Sequence, residues 1–90
     1  MKKYLFTEYR DARGTGSEKL YNSKEEAVTE AARAWGSLSE TDKNSYRKDP
    51  ASTYRVDELE ITAEQLELYR FDELAMPLEE LSTATVWEAE

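Results

Sequence analysis

Ninety residues at a net charge of −8 fit one small domain, and 39% apolar residues with six Tyr, two Trp and two Phe suffice for a modest core. The absence of Cys and His excludes disulfides, most zinc, copper and iron sites, and Ser-His-Asp or Cys-His catalysis. The only apolar run in the N-terminal MKKYLFTEYR is Tyr4–Phe6, too short for a signal peptide, and no run approaches the roughly 18 residues of a membrane span. A cytoplasmic protein without membrane contact is expected.

In chain order, Lys2 to Tyr9 reads as a strand, with Tyr4 and Phe6 on one face and Leu5, Thr7 and Tyr9 on the other. Bulk on both faces suits a central strand. Asp11 to Gly16 (DARGTG) is a turn, and Ser17 to Tyr21 a short return strand, completing a hairpin. A phosphate-loop reading of Gly14-Thr15-Gly16 fails, because no Gly-Lys-Ser/Thr follows and SEKLY is a strand pattern.

Ser23 to Glu26 is a capping box, opening a helix whose inner stripe is Ala27, Val28, Ala31, Ala32 and Trp35. Gly36 stands where a left-handed C′ glycine would close it. Ser39 to Asp42 has the spacing of a second capping box, for a short helix ending near Arg47; Asp49-Pro50 stops it. The stretch AWGSLSETDKNSY is therefore a helix–corner–helix joint, with Trp35 and Leu38 in the core.

Ser52 to Ile61 reads as a third strand, but Tyr54 and Val56 have one parity and Leu59 and Ile61 the other. Either a bulge lies near Asp57-Glu58 or the strand ends there. Thr62 to Gln65 caps a helix over Glu64 to Ala75, although ELYRF also alternates as a strand does. Pro77 begins a short helix, PLEELS, and Thr83 to Glu90 is a tail. Residues 1–76 form the expected α+β domain, a hairpin and third antiparallel strand packed on the helix–corner–helix unit. Residues 77–90 are an acidic, partly ordered C-terminal segment.

Charge is uneven along the chain. Residues 1–50 hold ten Lys/Arg and nine Asp/Glu, whereas residues 51–90 hold two and eleven. The cations Lys2, Lys3, Arg10, Arg13, Lys19 and Lys24 are interleaved with Tyr4, Tyr9 and Tyr21, as in a nucleic-acid stripe. Glu8, Asp11, Glu18, Glu25 and Glu26 cancel them, so no direct nucleic-acid binding is expected. The carboxylates Asp57, Glu58, Glu60, Glu64, Glu67, Asp72 and Glu73 show no calcium-loop pattern. A paired acid/base also needs an enclosing cleft that ninety residues seldom build. Hence no catalytic activity, cofactor or metal is expected.

The order YNSKEEAV, AWGSLSETDK and YRVDELEI, from Tyr21 to Ile61, resembles a group of small uncharacterised accessory proteins of conjugative elements and phages of Gram-positive bacteria. There a short strand leads to an EEA-type helix, a Trp, a Leu-Ser/Thr pair, a charged short helix and a returning strand. The resemblance covers under half the chain. It implies a mobile-element setting and brings no activity and no functional residues.

The functional expectation is an accessory protein acting by protein–protein contact, with a basic-surfaced partner drawn to Asp57, Glu58, Asp72 and Glu73. The alternative is an inhibitor that imitates nucleic acid, its spaced carboxylates standing in for phosphates in the channel of a DNA-binding or defence enzyme.

Overall fold

A computed structural model describes Met1–Glu90. Its centre is one antiparallel sheet, β1 (Lys2–Arg10), β2 (Thr15–Tyr21), β3 (Thr53–Glu60) and β4 (Ser82–Glu88), in the order β2-β1-β3-β4. Helices α1 (Lys24–Gly36) and α2 (Glu40–Lys48) join β2 to β3, and α3 (Ala63–Phe71) follows β3. The α+β class and the central place of β1 are as the sequence suggests. No helix is long and apolar enough to cross a membrane.

The alternation of β1 builds two cores. Phe6 points to the α1 side, where it joins Tyr21, Ala27, Ala31, Tyr54 and Val56. Leu5 points to the α3 side, where it joins Leu59, Ile61 and Leu78. This also explains the parity change in β3. The strand is continuous and pairs with β1 without interruption from Lys2–Glu60 to Tyr9–Thr53. Tyr54 and Val56 enter one core, and Leu59 and Ile61 the other. A strand buried on both faces needs no bulge to hide residues of both parities. The irregularity lies across from it, in β4. Val56 and Asp57 oppose Trp87 and Thr85, Glu58 and Leu59 oppose Ala84 and Ser82, and Val86 and Thr83 stand unopposed.

The expected tail is thus corrected. Residues 82–88 are the edge strand, Trp87 and Val86 pack on the first core, and the Ala89 N–H donates to the Tyr54 carbonyl at 3.0 Å. Leu78, from a 3-10 turn at Leu78–Leu81, is fully buried. A boundary at residue 76 therefore cuts through the sheet and its second core. The β-branched run of TATVWE outweighs the acidic composition that suggests a tail.

Three helix starts follow their caps. The Ser23 and Ser39 hydroxyls accept from the Glu26 and Asp42 N–H groups at 3.2 and 3.1 Å. Thr62 and Gln65 form the full reciprocal box. The Asp42 carboxylate does not reach back to its cap; it binds Arg10 at 2.8 Å. The end of α1 departs from expectation. Gly36 is the last helical residue, and Gly14 alone has a positive φ, of 61°. The Ser37 hydroxyl closes the helix by donating to the Ala34 carbonyl at 2.8 Å, which a left-handed glycine would otherwise help satisfy. Ala32 is exposed, and Trp35 is half-buried at the rim of the first core. The helix seen at Glu64–Ala75 in the sequence ends at Phe71, because Asp72 turns extended and caps a following 3-10 turn at Glu73–Ala75.

Candidate protein-contact surface

Helix α3 carries more large apolar residues than its single packed face can use. Leu66 and Tyr69 turn inward and pack beside Leu5, Leu59, Ile61 and Leu78. The Tyr69 hydroxyl donates to Glu18 on β2 at 3.3 Å. Leu68, Phe71 and Leu74, spaced by three, face outward at 43%, 90% and 94% exposure. An ordinary surface helix keeps one apolar stripe toward the core and a polar face toward water. Here the outer face has its own apolar ridge, and no residue of α3 is fully buried.

The ridge is acidic at its sides. Glu64, Glu67, Asp72 and Glu73 are all exposed on or next to α3, with Arg70 the cation among them. Asp72 also has a local duty, since its Oδ1 accepts from the Leu74 N–H at 3.0 Å and fixes the turn that holds Leu74 out.

The four carboxylates proposed from sequence do not come together. Asp72 and Glu73 flank the ridge. Asp57 is 1% exposed on the middle of β3, accepting from Arg55 Nε at 2.9 Å and Thr85 Oγ1 at 2.7 Å. It cannot meet a partner's surface, and its place among the contact residues is corrected. A buried carboxylate needs a charged or hydrogen-bonding partner; Arg55 supplies the opposite charge and Thr85 a hydroxyl hydrogen bond. Glu58 sits on the other face, half-buried and paired with Lys2 at 3.3 Å. Phe71 and Leu74, the most exposed large apolar residues, are missing from the sequence-derived set. The available signal was an apolar count on α3 exceeding one stripe.

The rest of the α3-side face is a polar cleft of about 450 Å³ floored by Thr7, Tyr9, Thr53 and Arg55, with Glu18 and Glu79 at its walls. Desolvation raises the Glu18 pKa, opposed by the Tyr69 hydroxyl bond and reinforced by the charges of Glu79 and Glu73. Burial pushes the Tyr69 phenol up to about 12, with Glu18 and Glu73 adding to it. The two groups form one hydrogen-bonded seat under α3. No group of three or more His, Cys, Asp or Glu is arranged to hold a metal ion.

No family model, no curated protein and no solved structure matches the chain.

Proposed function

We propose that this is an accessory protein that works by protein–protein contact, and that the ridge of Leu68, Phe71 and Leu74 is its contact surface. The observation that carries the reading is the near-complete exposure of Phe71 and Leu74, three residues apart in sequence, in a chain small enough to need its apolar area for folding. Aromatic and aliphatic anchors supply most of the energy of a protein interface. The flanking acids suit a partner with Lys and Arg around the receiving surface, and attraction between them speeds encounter.

The alternative, mimicry of nucleic acid, has less support. It needs a run of free carboxylates, whereas Asp57 is buried, Glu58 is paired with Lys2, and Glu60 is paired with the Met1 amine at 3.1 Å. The carboxylates left around α3 border apolar side chains.

The test is capture from a lysate of the organism that makes the protein, comparing wild type with Phe71→Ser/Leu74→Ser. The double variant should keep its melting temperature and lose the specific captured protein. Retention of the same protein at the same level would sink the proposal.

A further inference from the structure

We infer that the ridge receives an amphipathic basic helix of the partner; this deepens the contact reading and rests on it. Four features of the surface define the occupant. The ridge is narrow, because Leu68 and Phe71 are one helical turn apart at the end of α3 and Leu74 follows in the 3-10 turn that Asp72 caps. It is short, since Leu68 to Phe71 is a single turn of α3 and Leu74 stands in the turn after it, so a helix of roughly 10–14 residues covers it together with its bordering acids. It is apolar and open to solvent, which calls for a complementary apolar stripe. It is bordered by Glu64, Glu67, Asp72 and Glu73, which calls for Lys or Arg on either side of that stripe.

Other occupants fit worse. A second copy would bring two sets of these acids together in a chain of net charge −8. An anionic membrane surface meets the same repulsion. A free loop would leave its backbone groups unsatisfied over Phe71 and Leu74, whereas a helix satisfies its own.

The orientation also follows. The C-terminal end of α3 carries the negative end of its dipole, and Asp72 and Glu73 reinforce it. An antiparallel partner places its own positive N-terminus there. Helix pairs of this kind pack with axes about 8–10 Å apart, close enough for Phe71 and Leu74 to lie between them.

The experiment uses the full chain and a defined probe, a 14-residue Leu/Lys peptide designed as an amphipathic helix. Its control is an isomer of the same composition with the Leu residues scattered around the helix. Backbone amide NMR should localise the amphipathic peptide to residues 64–76, at least about tenfold tighter than the isomer, as burial of one aromatic anchor requires. Phe71→Ser/Leu74→Ser should abolish the difference between the peptides. A spin label at the peptide N-terminus should broaden Phe71 and Leu74 more than Glu64. Equal binding of the two peptides, or shifts spread over the whole acidic surface, would overturn the inference. So would a wild-type dimer by sedimentation that Phe71→Ser/Leu74→Ser dissolves, or ridge-dependent binding to phosphatidylcholine vesicles. If the lysate partner still depends on Phe71 and Leu74 while the peptides do not discriminate, the contact reading stands and only the helical occupant is lost.

Discussion

The two faces of the sheet are finished differently. On the α1–α2 face, Tyr54 is the hub of an aromatic core, with ring centroids of Phe6, Trp35, Tyr46 and Trp87 at 5.4, 5.0, 5.2 and 6.3 Å. Cations seal its rim, Arg10 over Tyr46 at 5.3 Å and Arg47 over Trp35 at 5.6 Å. On the α3 face, a small aliphatic cluster fills one end, a charged pair occupies the middle, and the apolar surplus of the helix points to water. One face consumes its apolar residues in packing, and the other leaves them available. On the contact reading proposed above, stability and recognition fall on opposite sides of one sheet, and substitutions should sort accordingly.

The largest contrast is between Tyr54 and Phe71. Tyr54→Ala opens a cavity among four rings and should cost about 3–5 kcal/mol, enough to threaten a domain this small. Phe71→Ala removes an exposed ring and should change stability by less than about 0.5 kcal/mol. Urea denaturation of both variants checks the pair; a comparable loss in each would erase the division between the faces. Tyr54→Phe sharpens it. The Tyr54 hydroxyl is buried without a hydrogen-bond partner, so its removal should be neutral or slightly stabilising.

The charged pair is next. Arg55→Met leaves Asp57 buried with Thr85 as its remaining side-chain donor. The loss should be about 2–3 kcal/mol, at or below the usual cost of breaking a buried pair, because Arg55 is itself partly solvated. Thermal melts of Arg55→Met and of Arg55→Met/Asp57→Leu decide whether the unpaired charge is responsible. The double variant should recover most of the loss if so.

Much of the framework is legible in the sequence because it depends on local chemistry. Ser23, Ser39 and Thr62 announce their helices through hydroxyls that act within three residues. The hairpin needs only its turn and two alternating segments. What stays hidden depends on contacts across the chain. Nothing near Asp57 in sequence reveals that Thr85, 28 residues away, will help bury it. Nor does TATVWE show by itself that β3 has a free edge waiting, so its acidic surroundings suggest a tail. The ridge was partly legible, in the apolar excess of ELYRFDEL. Which of those residues face outward is decided only when Leu66 and Tyr69 find Leu5 and Leu59.

The glycines test the boundary at finer scale. Gly36 is helical, and a Cβ there would meet nothing within 4 Å. Gly36→Ala should therefore stabilise by about 0.4–1 kcal/mol through the unfolded chain. Were Gly36 a left-handed cap, the same change would destabilise. Guanidinium titration gives the sign directly.

The smallest effect concerns the seat of α3. Glu18 has a raised pKa, owing first to desolvation, with the Tyr69 hydroxyl bond opposing and Glu79 and Glu73 adding. A carboxyl whose folded pKa lies above its unfolded value binds its proton more tightly in the native state. From this group alone, stability is gained as pH falls through the folded pKa, and ionisation at neutral pH subtracts from it. Glu18→Gln keeps an acceptor for the Tyr69 hydroxyl and removes the charge. It should be at least as stable as wild type at pH 7, with a gain below about 0.5 kcal/mol because solvent screens an exposed carboxylate. Between neutral pH and the ordinary Glu range, the melting temperature of wild type should approach that of the variant. Melting curves at intervals across that range check both statements. If Glu18→Gln is less stable at pH 7 and the deficit disappears as pH falls through the Glu range, the ionised carboxylate is holding α3 in place. The helix would then be fastened by charge to the sheet, and the α3 face would be as much a structural face as the other.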